Sequence, residues 1–195
     1  MVDLAQTERF VIKQRITVMV NRYEVRTWAS DGDDGDLLAL AQQKRMAFKE
    51  EVTFYAEEER TTPLFSFKAD RRLDLAARYE VRDAGGYSLG WFRKEFGKSL
   101  LRSTWHLGTD GIEAVGRERS TGVAVARRAW ELLPIDLPSP FVFHFDFVDP
   151  AGKIVLTSQR KRSLRDRYEV TVPGARIDGR VAAAMAVALD ALQSR

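Results

Sequence analysis

The sequence of 195 residues contains no cysteine, only two histidines and no long run of apolar residues. The absence of cysteine excludes disulfide bonds, a thiolate nucleophile, S-palmitoylation and every metal site that requires sulfur. The longest purely apolar run, residues 181–189, is about half as long as a membrane-spanning helix must be. The chain also lacks a strong charge bias, because 31 basic and 28 acidic residues leave a net charge of +3. Such a small surplus does not by itself indicate a nucleic-acid partner.

The remaining composition is that of an ordinary globular protein, with 45% hydrophobic residues. A chain of this length can bury a sizeable core, and we expect one domain over residues 1–195 with a tail at residues 1–9. The tail carries early acidic residues and no apolar stretch, so we expect no secretory signal. We therefore expect a cytoplasmic protein that can lie at the membrane periphery, without a transmembrane segment.

Most of the sequence has the alternating pattern of β-strands. Residues 10–20 alternate between apolar and polar side chains, and residues 23–25 continue the pattern. Phenylalanine occupies every second position from Phe141 to Phe147, which predicts a strand with one buried aromatic face. Turns rich in Gly and Asp, as at residues 31–36, separate the strands. We predict ten to twelve antiparallel strands, closed into a barrel or folded as a sandwich.

Two segments have helical patterns. Residues 122–133 carry one apolar stripe and end at Pro134, which predicts a surface helix. Residues 178–193 begin with Asp178 as a plausible N-cap and include nine consecutive apolar positions. A helix without a polar face is buried on all sides, and its small Ala side chains allow strands to surround it closely. The pattern predicts a central helix inside the barrel; the alternative is a helix on one face of an open sheet.

The tetrapeptide Arg-Tyr-Glu-Val occurs at residues 22–25, 78–81 and 167–170. The spacings are unequal, which excludes a solenoid. A Gly/Asp turn, an apolar strand and a basic stretch follow the first two copies in the same order. This shared order favours duplicated β-units; the alternative is the chance recurrence of a good strand sequence.

Residues 78–86, with the sequence Arg-Tyr-Glu-Val-Arg-Asp-Ala-Gly-Gly, resemble a hairpin of the LURP-one-related and phospholipid-scramblase-related proteins. The closing strand at residues 168–172 and the Ala-rich helix that ends at Asp190 resemble the end of the same superfamily. The resemblance covers residues 10–192 and is weakest at residues 122–133. It implies the tubby C-terminal-like fold: a closed antiparallel barrel of about twelve strands around a central hydrophobic C-terminal helix. It also implies membrane-linked binding or regulation, although the chain lacks the cysteines of acylated scramblases.

The sequence contains no recognisable catalytic or metal-binding constellation. An EF-hand loop beginning at Asp31 lacks the acid at its fifth position and the Gly at its sixth, which indicates a solvated turn. His106 and His144 have no partner at metal-ligand spacing. The three glutamates at residues 57–59 likewise indicate a solvated turn. We expect no enzyme activity, no cofactor and no metal; an enzyme would require a deep polar pocket around one of the histidines.

The best candidate site is a basic cluster near the last hairpin, which we expect to be assisted by a second group of cations. The cluster consists of Arg160, Lys161, Arg162, Arg165 and Arg167, and the second group of Arg93, Lys94 and Lys98. Such cations can bind an anionic membrane surface, or hold phosphate groups through bidentate Arg contacts. The alternatives are a solvated hairpin, or a protein-interaction or scaffold module without a lipid role. Nucleic acid is not expected, because no aromatic platform is interleaved with the basic residues.

Overall fold

The computed structural model describes residues 2–16, 20–29, 35–44, 51–70, 78–95, 104–109, 111–119, 144–161 and 167–193. The strands of these ranges are β1 (Arg9–Ile16), β2 (Val20–Thr27), β3 (Leu37–Lys44), β4 (Glu51–Tyr55), β5 (Pro63–Ala69), β6 (Arg78–Asp83), β7 (Ser88–Glu95), β8 (Thr104–Thr109), β9 (Ile112–Glu118), β10 (His144–Val148), β11 (Ile154–Lys161) and β12 (Arg167–Thr171). One α-helix, α1, spans Gly179–Gln193, and short 3-10 helices span Leu4–Gln6 and Pro173–Ala175. The predicted helix at 122–133 lies outside the described residues, as do Phe141, Phe143 and Asp31.

The twelve strands form one closed antiparallel barrel. Each strand pairs with its neighbours in the sequence, and β1 pairs with β12 to close the ring. This arrangement confirms the predicted barrel and excludes the sandwich. Because neighbouring strands are antiparallel, all odd-numbered strands end at one end of the barrel, and all even-numbered strands end at the other.

The alternating pattern of residues 10–25 belongs to two strands rather than one. β1 ends at Ile16, and β2 returns antiparallel to it, with Ile16 opposite Asn21. A single strand over this segment would be about 50 Å long, whereas the barrel strands contain only five to eight residues. The segment between β1 and β2 contains no Gly, Pro or Asp, so turn chemistry could not reveal the boundary.

The α-helix lies inside the barrel, as the apolar pattern predicted. Residues 181–189 are at most 1% exposed, and α1 contacts β1, β5, β7 and β12 on different sides. The Asp178 side chain accepts a hydrogen bond from the Arg180 backbone N–H at 2.8 Å, which confirms it as the N-cap. A Cβ atom at Gly179 would lie 2.0 Å from the Leu4 carbonyl oxygen, so only glycine fits where the helix begins. The alternative of a helix on an open sheet is therefore wrong.

Aromatic rings fill the interior beside the helix. Phe54 and Phe65 stack with ring centroids 4.2 Å apart, and the Tyr79 and Phe92 rings stack at 5.3 Å. On the opposite side Phe145 is fully buried, as is Phe147. The predicted burial of the phenylalanine face is thus confirmed for its two described members.

The three Arg-Tyr-Glu-Val copies lie in β2, β6 and β12, and they have the same orientation in the barrel wall. Their Tyr and Val side chains pack in or against the core, so the Arg and Glu side chains alternate to the outer face. Three strands lie between the first two copies and five between the last two, which explains the unequal spacing. Each copy places its Arg nearer the end of the barrel where even-numbered strands begin.

Candidate functional site at the basic end of the barrel

The two ends of the barrel differ in charge. The connections from even- to odd-numbered strands are residues 28–36, 56–62, 84–87, 110–111 and 149–153, and we term their end the acidic end. The acidic residues of these connections are Asp31, Asp33, Asp34, Asp36, Glu57, Glu58, Glu59, Asp110 and Asp149. Their only basic residues are Arg60 and Lys153. Helix α1 begins at this end, where Gly179 approaches Leu4 just before β1.

At the opposite end of the barrel the odd-numbered strands end and the even-numbered strands begin. We term it the basic end, because the sequence that connects these strands is rich in basic residues. The basic residues of these connections are Arg45, Lys49, Arg71, Arg72, Lys98, Arg102, Arg119, Arg127, Arg128, Arg162 and Arg165. Their acidic residues are fewer: Glu50, Asp70, Asp74, Glu131, Asp136 and Asp166. Because β7 and β11 both end here, the described members of both predicted groups lie towards the basic end. The two groups lie four strands apart on the ring, or about 19 Å along the wall.

The strand register divides the predicted cluster between the two faces of the wall. Arg160 lies opposite Tyr168, whose ring is in the core, so Arg160 points towards the interior. Lys161 and Arg167 lie opposite each other on the outer face. Lys161 Nζ lies 3.0 Å from a carboxylate oxygen of Glu169. Arg162, Arg165 and Lys98 lie outside the described residues.

The assisting cations also lie on different faces. Arg93 is exposed and faces Arg78 on one side and His106 on the other. Lys94 is half-buried, with its ammonium nitrogen 5.8 Å from the centroid of the Trp105 ring. A cation above an aromatic face is stabilised by the ring quadrupole, which gives Lys94 a structural contact inside the wall.

A row of three cations crosses the seam where the barrel closes. Lys161 lies opposite Arg167, and Arg167 lies opposite Lys13 of β1. We term Lys161, Arg167 and Lys13 the seam row. Directly opposite residues of antiparallel strands have Cβ atoms about 5 Å apart, and like charges at that distance destabilise the sheet. Sequence reasoning missed Lys13, because only the closure of β1 against β12 brings it to the cluster.

A buried ion cluster borders the seam row on β2. Glu24 lies opposite Lys13 and is only 3% exposed. Its carboxylate lies 2.6 Å from the Arg15 guanidinium and 2.8 Å from that of Arg26. Burial lowers the pKa of Lys13, and the neighbouring charges of Arg167 and Arg26 lower it further. The lowered pKa of Lys13 thus reflects its burial and the positive charges gathered around the seam row.

The C-terminal part of α1 is tied to the wall at the same end. The Tyr23 hydroxyl donates to Asp190 Oδ2 at 3.0 Å, and the Tyr168 hydroxyl donates to Asp190 Oδ1. Burial raises the pKa of Tyr23, and the Asp190 carboxylate raises it further. Asp190 thus links β2 and β12, the two strands that flank β1. Both tyrosines come from copies of the repeated tetrapeptide.

A family model described as LURP-one-related matches residues 38–190, which is most of the chain. The chain belongs to the LURP-one-related family. The match confirms the family resemblance and extends from β3 into α1, whereas β1 and β2 precede it. No curated protein and no solved structure matches the chain significantly.

The described part of this LURP-one-related barrel contains no helix long and apolar enough to cross a membrane. Those residues also include no group of three or more side chains suited to hold a metal ion. His106 Nε2 lies 2.9 Å from a Glu95 carboxylate oxygen, at the edge of an open cleft of about 610 Å³ on the outer face of β8 to β10. The Asp146 carboxylate in this cleft accepts two hydrogen bonds from Arg119 at 2.7 Å, so the cleft contains a paired carboxylate.

Proposed function

We propose that this LURP-one-related barrel is a non-catalytic binding or regulatory module. Its basic end contacts anionic phospholipid or other phosphate-bearing ligands at the membrane surface. The proposed contacting residues are Lys161, Arg162, Arg165 and Arg167, together with Arg93 and Lys98. Arg160 and Lys94 point inward and are not proposed as contacts. The observation that carries the proposal is the separation of charge between the two ends of the barrel. Although the net charge of the chain is small, the sequence connecting odd- to even-numbered strands is rich in basic residues and that connecting even- to odd-numbered strands is rich in acidic ones. An anionic surface attracts the first set and repels the second.

The distance between the two groups favours an extended ligand. Because they lie about 19 Å apart along the wall, a single phosphate group cannot bridge them. A membrane surface can contact both at once, and each cation near an anionic leaflet contributes about 1 kcal/mol. Salt would weaken the attraction between these cations and an anionic membrane, because the Debye length falls as the ionic strength rises.

Co-sedimentation with vesicles tests the proposal. We expect binding to vesicles of phosphatidylcholine and phosphatidylserine, weaker binding at high salt, and little binding to phosphatidylcholine alone. The double variant Arg162→Glu/Arg165→Glu should lower the affinity by roughly tenfold or more. The matched control Lys153→Glu reverses a charge at the acidic end and should leave binding unchanged. Binding that resists both salt and charge reversal would contradict the proposal, and a complete lack of vesicle binding would favour the protein-interaction module.

A further inference from the structure

We propose that Lys161, Arg167 and Lys13 form one binding site for an anion that presents two neighbouring phosphate groups. This inference rests on the function proposed above and specifies where the phosphate groups bind and how many are needed. The site lies on the outer face of the wall, across the seam between the first strand and the last two. Lys13 belongs to the first strand, and Lys161 and Arg167 belong to the last two. A ligand that contacts all three residues therefore connects the two strands, β1 and β12, whose pairing closes the barrel.

The width of the seam row sets the number of phosphate groups. Three directly opposite residues on adjacent strands span two strand spacings, or about 10 Å. A single phosphate group is narrower than this row and bridges two neighbouring cations at most. Two neighbouring phosphates can contact all three, with Arg167 in the centre able to form bidentate hydrogen bonds.

Lys161, Arg167 and Lys13, taken with the neighbouring Arg15, Arg26, Glu24 and Glu169, carry more positive than negative charges. Glu24, on the β2 side, is buried between the guanidinium groups of Arg15 and Arg26, which neutralise it. Glu169 lies beside the row on the last strand, and its carboxylate lies 3.0 Å from Lys161 Nζ. Glu169 therefore competes with an anionic ligand for Lys161, so removal of its charge should increase the affinity for that ligand.

The like charges of the row give a phosphate ligand its driving force. Burial of Lys13 and the positive charges of Arg167 and Arg26 already hold the pKa of Lys13 below its usual value. A bound anion would offset these repulsions, so it should raise that pKa and stabilise the closed barrel. A ligand that binds only the folded state raises the midpoint of thermal unfolding.

Calorimetric titration of the intact chain with pyrophosphate and with orthophosphate tests whether the site requires two neighbouring phosphate groups. We expect pyrophosphate to bind more tightly than orthophosphate. The variants Lys13→Gln and Arg167→Gln should each weaken pyrophosphate binding by roughly fivefold, the loss typical of one cation near an anionic surface. The control Lys153→Gln removes the same charge at the acidic end and should have no effect. An equal loss in the control, or equal affinity for the two probes, would overturn the site.

A gain of affinity separates the site from damage to the fold. Glu169→Gln removes the competing carboxylate, so we expect tighter pyrophosphate binding, which a destabilised barrel would not produce. Unchanged or weaker binding in a folded Glu169→Gln variant would argue against the site.

Vesicles of phosphatidylcholine and phosphatidic acid provide the lipid arm, because adjacent headgroups can supply the two phosphates. If the Lys13 and Arg167 variants weaken vesicle binding but not pyrophosphate binding, the site is assigned to lipid; the reverse result assigns it to a free phosphorylated ligand. Vesicle binding that depends on Arg162 and Arg165 but not on the seam row would overturn this inference and leave the proposed function intact.

Discussion

The acidic and basic ends of the barrel use their charged side chains in different ways. At the acidic end, carboxylates accept hydrogen bonds from the backbone amides of their own turns or helix starts. These carboxylates belong to Asp3, Glu57, Asp83, Asp149 and Asp178. At the basic end, Lys161, Arg167 and Lys13 lie opposite one another. The acidic charges therefore serve the fold, whereas the seam row places like charges directly opposite one another. This difference is the reason why we place the proposed function at the basic end.

The helix macrodipole agrees with this polarity at the acidic end only. Helix α1 begins at the acidic end and ends near Asp190 at the basic end. The partial positive charge of a helix N-terminus is stabilised by nearby carboxylates, and the partial negative charge of its C-terminus is stabilised by cations. The Asp178 carboxylate at the N-cap follows this rule, whereas Asp190 near the C-terminus opposes it and accepts hydrogen bonds from two tyrosine hydroxyls.

The largest expected effect on stability comes from a substitution in α1, the helix that runs from the acidic end of the barrel to the basic end. Met185 lies midway along α1 and is fully buried, so Met185→Asp would place an unpaired charge in the core. We expect a loss of more than about 4 kcal/mol in the free energy of unfolding, measured by chemical denaturation. The control Met185→Leu should cost less than about 1.5 kcal/mol. A small effect of the aspartate would show that the helix is accessible to water.

A smaller effect distinguishes the two ends of the helix. Asp190→Ala removes the acceptor of two buried tyrosine hydroxyls at the basic end, which should cost about 3 kcal/mol. Asp178→Ala removes the N-cap at the acidic end and should cost about 1 kcal/mol. Denaturation of both variants under the same conditions measures the difference. If the two losses are equal, the Asp190 contacts are no stronger than an ordinary cap.

The smallest expected effect is a local response to acid. The Thr61 hydroxyl and the Thr61 and Thr62 amides lower the pKa of Glu57, and Arg176 together with the Lys153 amide lowers the pKa of Asp149. Groups with a lowered folded pKa stabilise the fold above their ordinary values, here 4.5 and 3.8, and that stabilisation is lost as the pH falls. The turns of the acidic end should therefore loosen first in acid, while the arginines of the basic end keep their charge.

Amide chemical shifts followed by NMR measure this response. The Thr61 and Thr62 amides should titrate with midpoints below 4.5, the ordinary value for glutamate. The variant Glu57→Gln keeps an acceptor oxygen but cannot titrate, so it should abolish their transition and leave that of the Lys153 amide. Midpoints at or above the ordinary values would show that these carboxylates do not hold their turns.

Local patterns in the sequence predicted the elements that depend on local chemistry. Nine apolar positions in succession identified the buried helix, Asp178 its N-cap, and alternation most of the strands. What the sequence could not reveal depends on the closure of the ring. Lys13 joins Arg167, and Asp190 joins Tyr23, only because β1 pairs with β12. Arg160 points inward because it lies opposite Tyr168, and this strand register could not be predicted from the run of basic residues.

The position of α1 in the chain has a consequence for synthesis and folding. The helix occupies the centre of the core, yet it follows all twelve strands in the sequence. The pairing of β1 with β12, which places Phe10 opposite Val170, also joins two segments that are synthesised far apart in time. Pairings between distant segments are slow to form, and a strand edge that waits for its partner is prone to aggregate. The nascent meander must therefore keep β1 unpaired on one side, and its interior unfilled, until the last element has left the ribosome.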